Sequence, residues 1–530
     1  MSSIPQKNRN NPKRVFGDHW LDVVEEILNT RDKKEQQEQQ EQEQPKEKNV
    51  TLELLNMVLE RCDLFYTDTG EAYATIKGAE RDWTLKIRSR KFRMWLINEY
   101  LEEYFKPANQ TAVNQALELI EAKAHFMGTR ETLYNRVGEA DGTIYIDLGT
   151  DTGEVVQINP GSVTITTKPP IKFQLSPHQK PLPIPDLTAE PQDINELRRL
   201  INIKDDEDWM LLVAWLLACM RPSGPFPILA LQGERGSAKS TTMRMLRALI
   251  DPASPPAQRK VNDERDLMIH ANNRWVVALD NLWNIEAWLS DSLCTLSTGG
   301  GLMTRSLYTD DEETAFDVMR PIIINGIKEL AQRQDLMDRT ISLFLPAITD
   351  DMRMDEKTLW ATFDALHPAI FGALCKIISE TLKVYPMITL EKKPRLADFA
   401  MWVTAAEKAI GWKEGSFMAA FTDNQEDSLL DNTEGNPFAN AIVAMMKQKL
   451  SNTAEKIYAR WEGTATDLLK ELEGYADHKA QEHPAWPKAH NKVWNNLQSC
   501  GGGLRKMGIE YERLPRTKAG RFIVIEYKPQ

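Results

Sequence analysis

Residues 226–242 read FPILALQGERGSAKSTT, a largely apolar run that leads into a loop of small and polar residues. The apolar run predicts a buried strand, and residues 243–250 continue with helical spacing. A glycine loop between a strand and a helix, closed by Lys239 and Ser240, matches the phosphate-binding pattern GxxxxGK(S/T). In that pattern backbone N–H groups surround the phosphates, the lysine reaches the terminal phosphates and the hydroxyl binds Mg²⁺. The stretch therefore predicts an α/β core that binds ATP with Mg²⁺.

The loop supplies most of the predicted nucleotide-binding residues. They are Gly233, Glu234, Arg235, Gly236, Ser237, Ala238, Lys239, Ser240 and Thr241. Ala238 departs from the pattern, because it occupies the second glycine position. An alanine is tolerable there if it adopts a helical φ, which a residue at a helix start can do. The alternative interpretation is a chance glycine-rich turn before a helix.

A second apolar strand, Trp275–Asp280, ends in an acid about 40 residues after the loop. Asp280 has the place of the Walker B aspartate, so Ser240 and Asp280 are the predicted Mg²⁺ residues. The alternative is a buried strand with a capping aspartate. Asn281 stands where a glutamate commonly polarises the attacking water. An amide can orient water but cannot accept its proton, which predicts slow hydrolysis or a base from elsewhere.

A third apolar strand, residues 321–324, leads to Asn325, which fits a role in positioning water near the terminal phosphate. Arg333 and Arg339 precede a fourth apolar strand, and an arginine here could reach a neighbouring subunit's nucleotide. For Arg333 a surface salt bridge is the commoner outcome. Each signal is weak alone, but their order and spacing reinforce one another. The predicted catalytic residues of the strand ends and loop are Lys239, Asp280, Asn281 and Asn325, together with an arginine of this segment.

Three consecutive glycines, Gly299–Gly301, precede a polar and aromatic stretch and the acidic turn 310–313. The pattern predicts a flexible hairpin. In a ring-shaped motor such a hairpin would face the pore, where Arg305 would contact phosphate and Tyr308 would stack on a base. The alternative is a structural hairpin in which Arg305 caps or pairs locally.

Residues 486–530 are rich in lysine and arginine, although the whole chain carries a formal net charge of -12. A predicted helix over 488–507 and strands at 509–513 and 521–527 outline a winged helix-turn-helix. The residues predicted to contact DNA here are Lys488, Lys492, Arg505, Lys506, Arg516, Lys518 and Arg521. The alternative is a winged helix that docks a protein.

Length and composition set the domain organisation. A chain of 530 residues is too long for one hydrophobic core. We predict an N-terminal helix and polar linker over 1–50, an α+β domain over 51–187 (helices, then a β-meander), a P-loop core over 188–350, a helical lid over 351–430 and the winged-helix region over 438–530. The five cysteines are widely spaced, which argues against a zinc site or disulfide framework and favours the cytoplasm. No apolar run approaches the roughly 20 residues of a membrane helix.

The motifs together resemble superfamily 3 helicases of the AAA+ class, and more closely the ATPase half of primase-helicases from phages, plasmids and integrated bacterial elements. The resemblance covers most of the chain from about residue 80. Its central motifs are Gly233–Thr242, Asp280–Leu282, Trp288–Cys294, Thr298–Gly301, Arg305–Glu313, Arg320–Gly326 and Asp335–Arg339. It extends to Asp141–Leu148, Pro169–Phe173, Pro394–Trp402 and Trp461–Thr464.

The resemblance implies an AAA+ P-loop ATPase core that forms a homo-hexamer or similar ring, binds ATP between subunits and threads a DNA strand. It assigns Arg339 as the arginine finger and makes Arg395 a candidate nucleotide-binding sensor 2. No primase-polymerase domain is evident before residue 80, so priming would need a separate primase or polymerase.

Two other functions stay open. The first is an ATP-driven remodeller or clamp loader of DNA complexes without processive unwinding, which Asn281 favours. The second is an origin-binding initiator in which the winged helix does the main work.

Overall fold

Asn49 is the first residue that the computed structural model describes, and its side chain accepts a hydrogen bond from the N–H of Thr51. This bond caps the first helix by satisfying one of its free N–H donors. The structure describes residues 49–174, 176, 178–300, 302–305, 313–316, 318–326, 333–349, 351, 353–453, 457–483, 485–516 and 520–529. The helix predicted within residues 1–30 and the polar stretch 31–48 lie outside the described residues.

The chain divides into two compact units. Of the described residues, unit 1 comprises 49–66, Ala72–Ala74 and Lys86–Thr129, and unit 2 comprises Thr67–Glu71, Thr75–Leu85 and those from Arg130 onward. The described elements of unit 1 are α1 (Val50–Arg61), β1 (Cys62–Tyr66), α2 (Arg90–Tyr104) and α3 (Gln110–Met127). Helices α2 and α3 match the helical spacing of the sequence. Three short strands contain residues of both units: β2 (Ala72–Ile76), β3 (Trp83–Lys86) and β4 (Thr129–Arg130).

Unit 2 begins with the predicted β-meander. The strands over residues 133–173 are β5 (Leu133–Tyr134), β6 (Val137–Ala140), β7 (Thr143–Asp147), β8 (Val155–Asn159), β9 (Ser162–Thr166) and β10 (Lys172–Phe173). Strands β6 to β9 form the meander, and β5 pairs with β10. Strands β6 to β9 pair antiparallel in chain order. Asp141 and Gly142 connect β6 to β7 with positive φ at both residues, as a two-residue hairpin turn requires.

The centre of unit 2 is a parallel four-stranded sheet. Its strands are β11 (Ile228–Gln232), β12 (Val277–Leu282), β15 (Ile322–Gly326) and β16 (Thr340–Phe344), in the spatial order β12-β15-β11-β16. Leu229 and Leu231 pack into one hydrophobic core and Ile228 and Ala230 into another, on the opposite face of the sheet. Burial on both faces explains why the sequence shows continuous apolar runs here.

Helices cover both faces of this sheet. The helices before and between the strands are α4 (Asn195–Arg198), α5 (Asp206–Cys219), α6 (Lys239–Ile250), α7 (Glu264–Asn272), α8 (Ala287–Thr298) and α9 (Gln334–Met337). The helices after β16 are α10 (Glu356–Val384), α11 (Ala397–Ile410) and α12 (Ser416–Glu434). The fold is therefore mixed α/β, as expected. Strands β13 (Leu302–Arg305) and β14 (Glu313–Phe316) form the predicted antiparallel hairpin.

One helical stretch among the described residues, Glu356–Met387, is long and apolar enough by composition to cross a membrane. In this fold 56% of its most apolar window is buried, because α10 packs against α11 and the meander strands β8 and β9. A core helix passes the same test of length and composition.

The elements after Pro437 have a hydrophobic core of their own. They are α13 (Pro437–Ser451), β17 (Ala459–Thr464), α14 (Ala465–Leu472), α15 (His478–Glu482), α16 (His490–Lys506), β18 (Ile509–Arg513) and β19 (Phe522–Tyr527). The strands form an antiparallel sheet in the order β17-β19-β18. Strand β17 was not expected from the sequence.

A buried carboxylate joins the meander to the central sheet. Asp251 is 4% exposed and accepts hydrogen bonds from the N–H groups of Trp275 (3.1 Å) and Val276 (3.0 Å). Its other oxygen accepts from Nε of Arg136, 3.2 Å away, and Arg136 also donates to the carbonyl of Asp147 in β7. A buried charge is tolerated only when it is paired in this way.

We expect Asp251→Asn to lower the stability of unit 2 by about 3 kcal/mol, because it removes one charge of a buried pair and leaves Arg136 uncompensated. The urea midpoint, followed by tryptophan fluorescence, measures this loss. Asp206→Asn is the matched control, since Asp206 pairs with Arg198 at an exposed site and its removal should cost under about 0.5 kcal/mol. Equal losses in the two variants would contradict the assignment.

Candidate active site

The carboxyl ends of three neighbouring strands bring the predicted nucleotide residues together. The phosphate-binding loop follows β11, Asp280 lies near the end of β12, and Asn325 lies near the end of β15. Because β15 lies between β11 and β12, Asn325 is placed between the loop and Asp280. This is the edge at which parallel α/β sheets bind ligands.

The loop has a backbone that requires glycine at its start. Gly233 has a φ of +145°, and a Cβ on it would lie 2.4 Å from the carbonyl oxygen of Leu345. Ser237 is fully buried, and its hydroxyl donates to the carbonyl of Glu234 at 2.9 Å, which closes the turn. The loop is thus held against the end of β16 before the helix α6 begins.

Ala238 corrects the expectation from the sequence. Its φ of +62° and ψ of 21° lie in the left-handed region, and not at the negative helical φ at which an alanine would be unstrained. A left-handed conformation costs a residue with a Cβ roughly 1–2 kcal/mol. The pattern places glycine here because this position turns the chain from the loop into α6, and the structure retains that turn in spite of the methyl group.

Lys239 contacts the loop that it follows. Its Nζ donates to the carbonyls of Gly233 (2.8 Å) and Glu234 (2.6 Å) and lies 3.3 Å from Oγ of Ser237. Partial burial lowers the pKa of Lys239. The ammonium group is therefore held at the mouth of the loop, next to the amides that would surround a phosphate.

A hydrogen-bonded network joins the second half of the site. Oδ1 of Asp280 accepts from the hydroxyl of Ser240 at 2.7 Å and from Nδ2 of Asn325 at 2.8 Å. The N–H of Asn281 donates to Oδ1 of Asn325 at 2.6 Å, which fixes the orientation of that amide. One hydroxyl, one carboxylate and two amides thus converge beside the loop.

The donor set fits Mg²⁺ held together with a nucleotide. A hydroxyl and a carboxylate oxygen are hard ligands of the kind that Mg²⁺ prefers, and Ser240 and Asp280 present them side by side. Among the described residues, no cluster of three or more His, Cys, Asp or Glu could hold a metal ion. A Mg²⁺ ion here would therefore complete its shell with phosphate oxygens and water.

The backbone conformation at position 281 favours an asparagine. Its φ is +61°, and asparagine is among the few non-glycine residues that adopt this conformation readily. A glutamate at this position would add strain. Its side chain is exposed and lines the cleft, so an amide, and not a carboxylate, faces the predicted phosphate position.

The cleft has a volume of about 580 Å³, within the range of small-molecule sites. It is lined by Arg235, Gly236, Ser237, Ala238, Lys239, Ser240, Thr241, Asn281, Trp283 and Asn325. Trp283 is 68% exposed and was not predicted. Its position three residues after the Walker B aspartate was the signal that could have identified it.

The predicted arginine finger lies at the other edge of the sheet. The carbonyl of Arg339 accepts from the N–H of Ile228, at the start of β11, whereas the loop follows the end of β11. Five residues of strand, roughly 15 Å, separate the two positions. The Arg339 side chain is 10% exposed and pairs with Asp335 at 2.7 Å. It therefore lies away from this chain's own cleft.

Arg395 is not brought to the cleft either. It pairs with Asp335 at 2.7 Å and with Asp338 at 3.2 Å, so it shares Asp335 with Arg339. It therefore forms an arginine cluster with Arg339, and its role as a sensor 2 stays a prediction. Arg333 pairs with Asp291 at 2.7 Å, the surface salt bridge that its sequence context favoured.

Part of the helix predicted over 488–507 packs against another helix of the same chain. A Cβ on Gly503 of α16 would lie 1.7 Å from Oγ1 of Thr433, and a Cβ on Gly502 would lie 3.1 Å from Leu429. The glycines thus let α16 pack closely on the lid helix α12. Lys506, at the end of α16, forms an ion pair with Glu426 of the same lid helix.

The other predicted DNA residues are spread over the C-terminal sheet and helices. Arg505 contacts Tyr511 and Glu510, and Lys488 donates to the carbonyl of Gln481 at 2.6 Å. Lys492, Arg516 and Arg521 are exposed. Arg305 lies on β13, for which the structure describes the backbone alone. Tyr308 and Lys518 lie outside the described residues.

Two protein families match separate parts of this chain. Residues 194–428 match the family described as the actinomycete integrative conjugative element replication protein, and residues 438–530 match the AICE RepA C-terminal domain. Together the two matches cover more than half of the chain. No curated protein matches it.

Two solved structures resemble the chain at low identity. One is described as "SCCmec type IV Cch - active helicase", with 12% identity, 88% of this chain and 94% of that chain covered, and a TM-score of 0.42. Another is the apo NrS-1 C-terminal region, with 13% identity, 91% and 99% covered, and a TM-score of 0.40.

The left-handed conformation of Ala238 leads to opposite expectations for two substitutions. Ala238→Gly should bind the fluorescent nucleotide mant-ADP with Mg²⁺ a few-fold more tightly, since glycine adopts positive φ freely. Ala238→Val should bind it at least tenfold more weakly, because a β-branched residue is a true outlier there. Fluorescence titration measures both dissociation constants. Equal affinities in the two variants would contradict the assigned backbone.

Proposed function

We propose that the chain, whose residues 194–428 and 438–530 match the replication proteins of actinomycete integrative conjugative elements, is an ATP-dependent DNA helicase of the superfamily 3, AAA+ type. The observation that carries the proposal is the meeting of Ser240, Asp280 and Asn325 beside a phosphate-binding loop. These side chains come from three separate elements and supply the groups that P-loop hydrolysis uses.

The site would bind and orient ATP as follows. The loop amides and Lys239 hold the phosphates, and Ser240 with Asp280 hold Mg²⁺, which when bound neutralises charge on the transferred phosphoryl group. Asn325 and Asn281 face the terminal phosphate and orient water by hydrogen bonds. Because neither amide can take the water's proton, we expect turnover to be slow without a base from elsewhere.

The arginine cluster supports a ring. Arg339 and Arg395 share Asp335 at the edge of the sheet opposite to the loop. Placed there, they can reach the nucleotide of a neighbouring subunit but not their own. A head-to-tail contact of this kind generates a closed ring when the rotation between subunits closes, and we propose that it does here. Release of Arg339 from Asp335 would be part of its engagement with a neighbour's phosphate.

The DNA contacts are proposed at two places. The β13–β14 hairpin, which carries Arg305 and leads to Tyr308, would face the pore and follow the strand. The order of elements after Pro437 (helix, strand, two helices, the helix α16 and two strands) supports a winged helix-turn-helix. Its exposed cations Lys492, Arg516 and Arg521 would contact phosphates. A separate primase or polymerase would supply priming.

A second candidate is an ATP-driven remodeller or origin-binding initiator that does not unwind processively. The amide of Asn281 at the position of the usual catalytic acid favours it, since slow hydrolysis suits a switch better than a motor. The two candidates differ in strand separation and in DNA specificity.

We expect the wild-type protein to separate a forked DNA duplex with ATP and Mg²⁺, and Lys239→Ala to abolish this. The loss follows because Lys239 is the side-chain cation at the mouth of the phosphate loop. Strand displacement of a labelled fork measures the activity, and Lys413→Ala, an exposed lysine after α11, is the matched control.

Two outcomes would contradict the proposed helicase activity. DNA-stimulated hydrolysis without strand separation would support the remodeller. Sequence-specific binding of duplex origin DNA without any hydrolysis would support the initiator.

The trans role of Arg339 predicts complementation between two inactive variants. In an equal mixture of Lys239→Ala and Arg339→Ala, roughly a quarter of the subunit contacts would join an intact loop to an intact arginine, so about that fraction of wild-type ATP hydrolysis should return. Phosphate release measures the activity. A mixture of Lys239→Ala with Asp280→Ala is the control and should stay inactive, because both changes lie in the same half of the site. Absence of recovery in the first mixture would contradict a trans arginine.

A further inference from the structure

Asn202 joins two segments at the mouth of the cleft that are distant in sequence. It lies between α4 and α5, and its Nδ2 donates to the carbonyl of Ser237 in the phosphate loop at 3.2 Å. The same amide donates to the carbonyl of Pro346, just after β16, at 2.6 Å. Two N–H groups on one nitrogen thus hold two backbone carbonyls.

The bond to Ser237 fixes a peptide plane that matters for phosphate binding. The carbonyl of Ser237 and the N–H of Ala238 belong to the same peptide unit, and in a trans peptide these groups point in opposite directions. When Asn202 holds the carbonyl on one side, the N–H of Ala238 is aimed to the other side. Ser237, Ala238 and Lys239 all line the cleft, and loop N–H groups are what a P-loop offers to phosphate.

The same peptide unit leads into Ala238, whose backbone conformation is strained. Ala238 has a φ of +62°, which a residue with a Cβ avoids unless its surroundings impose it. Asn202 supplies part of that constraint from the Ser237 side, and the hydrogen bond from Thr242 N–H to the carbonyl of Ala238 supplies part from the α6 side. A glycine at position 238 would adopt a positive φ with less support from these hydrogen bonds.

The hydrogen bond from Asn202 to the carbonyl of Pro346 connects the phosphate loop to the end of β16, the strand that begins next to Arg339. Leu345 N–H donates to the carbonyl of Gln232 at 2.8 Å, and Asn202 then holds Pro346 one residue later. The end of β16 and the loop are therefore fastened to each other at both Gln232 and Ser237.

We propose that Asn202 is a positioning residue for nucleotide binding, which aims the N–H of Ala238 at the phosphate by holding the carbonyl of Ser237. The inference rests on the proposed ATPase function and deepens it. Asn202 itself does not contact the phosphate in this arrangement, so its effect passes through the 237–238 peptide.

The test is a double-mutant cycle between positions 202 and 238, read as the dissociation constant of mant-ADP with Mg²⁺. Asn202→Asp removes both donors and keeps the shape of the side chain. We expect it to weaken binding about tenfold in the Ala238 background, the loss that one well-placed hydrogen bond produces. In the Ala238→Gly background the same change should weaken binding about threefold or less, because glycine adopts positive φ without support.

Asn440→Asp is the matched control. Asn440 is exposed, and its amide donates to the carbonyl of Glu434 at 2.6 Å, far along the chain from the cleft. Its mant-ADP affinity should equal that of the wild type. Thermal midpoints of all variants show whether a loss of binding is a loss of fold.

The outcomes separate the inference from the function on which it rests. If the wild-type protein does not bind mant-ADP, the proposed ATPase is wrong. If the wild type binds and Asn202→Asp binds equally well, or loses the same factor in both backgrounds, the positioning role is wrong. A tenfold loss that Ala238→Gly largely removes supports it.

Discussion

The parallel pairing of β11 with β16 is the constraint on which the site depends. Hydrogen bonds join the two strands from Ile228 opposite Thr340 to Gln232 opposite Phe344. The phosphate loop leaves one end of this pair and Arg339 enters at the other, so the pairing sets both the separation of the two groups and their directions. A shift of β11 by one residue would move Leu229 and Leu231 to the opposite buried face, where Ile228 and the smaller Ala230 now pack.

Several buried contacts keep that pair in place. Asp251 binds the N–H groups just before β12 and the guanidinium of Arg136 in the meander, so the sheet cannot move without breaking a buried charge pair. Asn424 of α12 exchanges two hydrogen bonds with Ser342, in the middle of β16. Helix α12 is thus bonded to the strand that joins the arginine cluster to the phosphate loop.

The sequence predicted the parts of the site that are local in the chain. Gly233–Thr241, Asp280 and Asn325 each follow an apolar strand, and parallel strands of one sheet bring such positions to the same edge. The sequence could not predict contacts between distant segments. Asn202 bonds to Ser237 and Pro346 through loop carbonyls, which no residue pattern marks.

Backbone conformation was the other limit. Ala238 occupies a left-handed position because the loop and α6 impose it from both sides, whereas its residue type favours negative φ. The resemblance made Arg395 a candidate sensor 2, and no sequence pattern indicated that Asp335 and Asp338 hold it next to Arg339. The helix predicted over 488–507 contains Gly501–Gly503, but the sequence could not show that Tyr511 and Thr433 approach Gly501 and Gly503 too closely for larger residues.

That close approach connects the C-terminal elements to the arginine cluster. Gln334 of α9 lies within 3.3 Å of a Cβ on Gly502, and the next residue is Asp335, which holds Arg339 and Arg395. Helix α16 therefore contacts the element that keeps the arginines paired. Movement of α16 away from α12 would separate Gly502 from Gln334, the residue that precedes Asp335. Under the proposed function, the region proposed to contact DNA and the arginines proposed to act in trans would therefore both contact the short helix α9.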